Sequence, residues 1–170
     1  MTDHQVQLER ELKEHHQASY GWAVACCRFD HDKGQDVLQA AYVKILEGRA
    51  VFDGRSSFKT WLFSVIRNTA RDQLRKERLR SLLLAAIRLQ PAEYPDLDED
   101  LNRSYEVDRL MAALSGLSKR QQELLHLVFY QDLTIQEAGL VMGISTGTAA
   151  RHYERGKAGL RARLAEGDES

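Results

Sequence analysis

The chain has 170 residues, a net formal charge of −1, only two prolines, and 43% hydrophobic and 29% charged residues. That length suits one domain or two small ones, and an abundance of Leu, Ala, Arg, Glu and Gln favours helix. The charge excludes a protein that coats nucleic acid by net attraction alone, and no apolar run is long enough to span a membrane as a helix. The polar N-terminal stretch MTDHQVQLERELKEHH has no apolar signal core, so a cytoplasmic location without membrane insertion is expected.

The spacing predicts a first helix from about Gln5 to Phe29, with Leu8, Leu12, Ala18, Trp22, Ala25 and Cys26 on its apolar side. Cys26 and Cys27 are adjacent, not spaced as metal ligands, and His15 and His16 lie too far along the helix to share an ion with them. Asp32 with Gln35 resembles a capping box and predicts a second helix carrying Val37, Leu38, Ala41, Ile45 and Leu46, stopped by Gly48. Asp36, Gln39 and Lys44 are its polar candidates. A Gly- and Ser-containing loop, GRAVFDGRSS, holds one large apolar residue, Phe52, either an anchor or a stacking surface.

The stretch from Phe58 to Arg80 predicts a two-sided helix. Phe58, Trp61, Leu62, Val65, Ile66, Ala70 and Leu74 recur as an apolar stripe, and Arg67, Arg71, Arg75 and Arg78 as a basic ridge. Phosphates suit the ridge and unstacked bases suit the aromatics, although a core helix with a solvated arginine face fits this stretch as well. Trp61 and Leu62 are expected in the core. The run Leu82–Leu84 with Ala85, Ala86, Ile87 and Leu89 either extends this helix or begins another at Ser81.

From Gln90 to Asp108 both prolines appear, with seven acids against the single Arg103. This composition predicts a flexible acidic linker, dividing the chain into domains 1–89 and 109–170. Beyond it, Tyr105–Leu114 predicts a short helix. Ser118–Gln121 and Thr134–Glu137 are capping-box patterns, each opening a helix. Gly143, Ile144 and Ser145 form a three-residue turn before a last helix from Thr146 to about Leu164. A short helix, a Gly turn and a longer polar helix make a helix-turn-helix pattern, shared with plain helical hairpins. In such a motif Thr146, Thr148, Arg151, His152 and Arg155 would face base edges, with Lys157 further along suited to phosphates.

No Gly-rich phosphate loop, His-Glu-x-x-His or nucleophile elbow is present, so no catalytic residues, metal, cofactor or small-molecule substrate are expected, and no enzyme. The fold class expected is all-α: two small helical domains joined by an acidic linker.

Together and in this order, these motifs resemble the sigma-70 family of bacterial transcription initiation factors, in particular the short extracytoplasmic-function (ECF) group. Asp36-Val-Leu-Gln39 resembles the family's polymerase-docking motif. Phe58-Lys-Thr-Trp61-Leu62 with Ile66-Arg67-Asn68-Thr69-Ala70-Arg71-Asp72 and Arg75 resembles the promoter-melting signature. Leu117–Gln121 and Leu133–Arg155 resemble the domain that binds the upstream element.

The resemblance implies a dissociable subunit of core RNA polymerase that directs initiation at promoter DNA, regulated by an anti-sigma factor. Asp36, Gln39 and Lys44 would dock on core polymerase. Phe52, Asp53, Gly54, Arg55, Ser56, Asn68, Arg71, Asp72 and Arg75 would hold the opened minus-ten strand, with a base flipped into a pocket. The helix-turn-helix residues named above would read the minus-thirty-five duplex. Ala40, Ala150 and Glu154 depart from the family's usual residues. A stand-alone helix-turn-helix regulator and a helical protein adaptor are the competing readings.

Overall fold

A computed structural model describes residues 3–88 and 105–166. Contacts divide the chain into two compact units, Met1–Asp98 and Glu99–Ser170. Among the described residues every regular element is a helix. The predicted acidic linker lies outside the described residues except for Tyr105–Asp108, which form the start of a helix.

The first unit holds α1 (Asp3–Glu14), α2 (His16–Cys26), α3 (His31–Leu46) and α4 (Phe58–Arg88). The single helix predicted over 5–29 is divided at His15, where the backbone reaches φ −94°, ψ 7°. Hydrogen bonds continue across the bend, from His15 N to Glu11 O at 3.1 Å and from Ser19 N to His15 O at 2.9 Å. No side-chain cap marks the position. The His15 ring stacks there on Phe58, a tertiary contact that periodicity does not carry.

α3 begins earlier than its predicted cap at Asp32. Asp30 has the extended backbone an N-cap requires, and its Oδ1 accepts from Lys33 N at 3.0 Å. Asp32 falls instead in the first turn, where a carboxylate favours the helix dipole. α4 is capped by Ser57, whose Oγ accepts from Thr60 N at 3.2 Å. It then runs unbroken through residues 82–87 of the leucine run, so these extend it, while Leu89 lies outside the described residues. At 31 residues it is about 46 Å long.

The core of this unit joins Trp22 and Cys26 of α2, Val37, Leu38, Ala41 and Ile45 of α3, and Leu62, Phe63 and Ile66 of α4. Trp22 is fully buried; its Nε1 donates to Phe63 O at 3.0 Å and its ring stacks on Phe63 at 5.9 Å. α2 and α3 meet at Gly34, where an added Cβ would lie 2.8 Å from the Val24 Cα. Cys26 and Cys27 are buried and not joined in a disulfide, and no group of three metal-binding side chains occurs among the described residues.

The second unit holds α5 (Tyr105–Ser115), α6 (Lys119–Leu125), α7 (Ile135–Met142) and α8 (Thr146–Glu166). Both predicted capping boxes form, at Ser118/Gln121 and Thr134/Glu137. The helix opened by the Ser118 cap changes to a π-helical turn over His126–Tyr130. That turn sets the half-buried His126 ring beside the buried Gln131. The Gln131 amide nitrogen can only donate, so its 3.2 Å contact makes His126 Nε2 an acceptor on a neutral ring.

Burial pushes the His126 pKa down to about 4. Unfolded, the same ring titrates at about 6.5, so the unfolded chain binds the proton first. The stability due to neutral His126 is full above about pH 6.5 and is lost as pH falls towards 4, by at most about 1.4 kcal/mol per pH unit. Thermal unfolding followed across this window should show that slope, and His126→Gln should flatten it. An unchanged slope in the variant would contradict the assignment.

Candidate nucleic-acid interface

α4 packs through Leu62, Phe63, Ile66 and Ala70, and the helical step fixes what its opposite side presents. Trp61, Asn68 and Arg75 recur every seventh residue, about 10 Å apart along one line. Arg71 and Asp72 stand beside Asn68, and all four polar residues of this group are exposed. The face therefore grades from aromatic near the N-terminus of α4, through an amide, to basic. Arg67, expected on the same ridge, is instead 7% exposed and belongs to the packed side. It lies about 100° round the helix from Asn68, towards the core.

The aromatic end is built with the preceding loop. Phe52 meets Phe58 edge-on at 5.5 Å and Trp61 at 5.4 Å, and Phe58 lies 5.2 Å from Trp61. All three rings are half-buried, so Trp61 is not the core residue expected, while Leu62 is. His15 adds a fourth ring, stacked on Phe58 at 6.0 Å with its Nε2 3.7 Å from Glu11. Asp53 shapes the loop tip: Oδ1 accepts from Arg55 N at 3.1 Å and Oδ2 pairs with Arg55 Nε at 3.3 Å. Gly54 between them takes φ +75°, a conformation costly for a residue with a Cβ. Ser56 Oγ donates to Ser57 O at 3.1 Å.

Asp36 and Gln39 are exposed on α3. Lys44 is turned away from them towards α4. Its Nζ donates to Thr69 Oγ1 at 3.2 Å and pairs with Asp72 Oδ2 at 3.6 Å. It borders a groove of about 260 Å³ with Arg49, Asp72 and Lys76. The structure thus brings Lys44 to the α4 residues, not to Asp36 and Gln39. Gln39 instead borders a groove of about 380 Å³ between α2 and α3, with His16, Tyr20 and Tyr42. Tyr42 OH lies 3.2 Å from His16 Nδ1, and burial pushes its phenol above the usual range.

In the second unit α7 and α8 meet through the predicted turn. Gly143 ends α7 in the left-handed region, at φ 65°. Gly139 faces the turn so closely that an added Cβ would stand 3.1 Å from Ile144 O. Ser145 starts α8: its Oγ accepts from Thr148 N at 3.2 Å and donates to Thr148 Oγ1 at 2.9 Å. Thr148 is therefore partly engaged in the cap. Thr146, Arg151 and Arg155 are exposed and His152 is half-buried. Lys157 is held within the unit, its Nζ 3.0 Å from Glu154 Oε1 and 4.7 Å from the Tyr153 ring centroid.

Two contacts at these sites were not read from the sequence, the His15–Phe58 stack and the Glu154–Lys157 pair. His15 joins the ring cluster through the α1–α2 bend, for which the sequence has no signal. Glu154 and its partner Lys157 stand three apart on a helix, a spacing that does predict the pair.

Two helical units, one with an aromatic-to-basic face and one with a helix-turn-helix, make this an all-α protein of the nucleic-acid-binding class. Residues 12–80 match sigma-70 region 2 and residues 113–162 match sigma-70 region 4. The chain is 31% identical over 137 residues to the ECF RNA polymerase sigma factor SigX of Bacillus subtilis (strain 168), covering 78% of this chain and 71% of that protein. It is 30% identical over 135 residues to the RNA polymerase sigma factor CarQ of Myxococcus xanthus, covering 78% and 75%. The sigma factor RpoE of Bartonella quintana, solved in complex with the anti-sigma factor NepR, shares the fold with a TM-score of 0.74. That likeness covers 94% of this chain and 97% of the other at 24% identity. CnrH, solved with the cytosolic domain of CnrY, gives a TM-score of 0.64 at 21% identity over 93% and 87% of the two chains. The chain belongs to the sigma-70 family, as an ECF-type RNA polymerase sigma factor, and its role is that of such a factor in promoter recognition.

The ring cluster offers a direct check on how the site is assembled. Phe58 touches His15, Phe52 and Trp61, so Phe58→Ala should free the loop and expose Trp61, at a cost of roughly 1–3 kcal/mol. Of the two tryptophans only Trp61 is near solvent, so emission should shift to the red while the buried Trp22 contribution stays. An unshifted spectrum would mean that Phe58 does not hold the cluster together.

Proposed function

We propose that the chain works as a promoter-specificity subunit that binds core RNA polymerase and opens promoter DNA. It takes the two promoter elements with separate units. The observation that carries this reading is the outward face of α4, where Trp61, Asn68 and Arg75 align with the Phe52–Phe58 rings at one end. Bases have apolar faces, polar edges and a charged backbone, and a single strand presents all three at once. A face ordered as rings, amide and guanidinium suits an opened strand better than a closed duplex, whose bases are stacked away.

In this mechanism residues 1–89 dock on polymerase through Asp36 and Gln39, which are exposed and free of the packing that holds α3. Phe52 and the loop Asp53–Ser56 border the position of a flipped minus-ten base, and Asn68 meets its edge. Arg71 and Arg75 take phosphates. Asp72, paired with Lys44, forms a wall of the pocket and keeps the local charge balanced. Flipping a base costs a few kcal/mol, which ring stacking and edge hydrogen bonds offset. Residues 109–170 place α8 in the major groove of the minus-thirty-five duplex, with Thr146, Thr148, Arg151, His152 and Arg155 towards bases and Lys157 nearer the backbone. The overall charge of −1 fits a subunit whose DNA affinity comes largely from its polymerase partner. The protein is a regulator and not an enzyme, and it acts in the cytoplasm. An anti-sigma factor is the proposed regulator, since two sigma factors of this fold were solved with such partners or their like.

Run-off transcription with core polymerase on a genomic fragment library tests the role. Discrete transcripts should appear only when the chain is added; absence of both transcripts and core binding would overturn the reading. Within that assay Asn68→Ala should reduce opening of the minus-ten element by about tenfold, leaving closed-duplex binding nearly unchanged. Equal losses in both would remove Asn68 from the pocket. Arg155→Ala should weaken use of the minus-thirty-five element by roughly 1–3 kcal/mol, and an unchanged preference there would displace it from the reading face.

A further inference from the structure

The outward side of α8 carries an acid, which the promoter-reading role leaves unexplained. Ala149, Tyr153 and Gly156 form the packed side of this helix. The helical step then places Gly147, Arg151, Glu154, Arg155 and Ala158 on the side away from the core. Arg151, Glu154 and Arg155 are all exposed. A carboxylate there would be repelled by phosphates unless something offsets its charge and gives it a donor.

The structure supplies the first of these. Lys157 Nζ stands 3.0 Å from Glu154 Oε1, and Lys157 itself lies over the buried Tyr153 ring with 24% of its side chain exposed. The cation is thus tied to the core and fixes the carboxylate on the outer face, while Oε2 can still accept. Gly147 and Ala158 leave room on the same side for close approach. In the major groove an acceptor-only group matches one base edge above the others. Cytosine offers its N4 amine as a donor; guanine and thymine offer acceptors, and adenine sets the N7 acceptor beside its amine.

We propose that Glu154 reads a cytosine in the upstream promoter element, with Lys157 as its positioning residue. The proposal rests on the reading of residues 109–170 as the minus-thirty-five binding unit. A pair that only braced the helix surface would add little stability and would leave base preference untouched.

The test uses holoenzyme, assembled from the full chain and core polymerase, selecting from promoters with a randomised upstream element. The wild-type chain should enrich cytosine at one position. Glu154→Ala should flatten that position by about tenfold and leave the others unchanged. Glu154→Gln should move the preference there towards adenine, whose N6 and N7 match an amide. Lys157→Gln should weaken the same position selectively. A uniform gain in binding across all sequences on removing Glu154, as relief of repulsion alone would give, overturns the proposal, and so does an unchanged profile. A wild-type chain with no upstream preference at all would instead overturn the reading of the second unit, and the proposal with it.

Discussion

The indole of Trp22 decides which way α4 faces. It is fully buried, hydrogen-bonded to Phe63 O and stacked on the Phe63 ring. These contacts seat one side of α4 against α2 and α3, and the opposite side is left carrying Trp61, Asn68, Arg71, Asp72 and Arg75. Truncating such a ring in a packed core costs about 3–5 kcal/mol, a large part of the stability of a small domain. The exposed residues hold their order because the buried ones hold theirs. A rotation of α4 by one residue, about 100°, would bury Asn68 and bring Arg67 out.

The second unit solves a similar problem with backbone rather than a large ring. Ser118, Thr134 and Ser145 cap successive helices, and Gly139 and Gly143 let α7 and the turn approach α8. Ala149 and Tyr153 then fix the rotation of α8. In both units a helix of mixed character is oriented by a few buried residues. The outward face follows from the helical repeat.

Much of this was legible in sequence for physical reasons. Helix existence followed from periodicity, and the two capping boxes formed where their spacing placed them, because a cap is a local interaction between residues three apart. Gly143 stops α7 for an equally local reason. What was not legible depends on long-range contacts. The bend at His15 accompanies a ring stack with Phe58, 43 positions away. The burial of Arg67, the turning of Lys44 towards Asp72, and the π-helical turn at His126 all arise from packing between elements. The cap of α3 at Asp30 was missed for a nearer cause: Arg28 and Phe29 take positive φ and set up the turn before it, which composition does not announce. The family match of residues 12–80 and 113–162 agrees with where the sequence placed its motifs. The residue roles within them remain a matter of geometry.

The central claim is that the outward face of α4 holds an opened strand while α8 holds duplex. Site-specific photo-crosslinking from Ser64, on the α4 face between Trp61 and Asn68, and from Arg155 on α8 measures this most directly in the assembled holoenzyme. The Ser64 probe should label the minus-ten strand only once that element is opened, and the Arg155 probe should label the minus-thirty-five duplex in closed and open complexes alike. A Ser64 probe that labels only polymerase, or labels closed duplex as strongly as opened DNA, would contradict it.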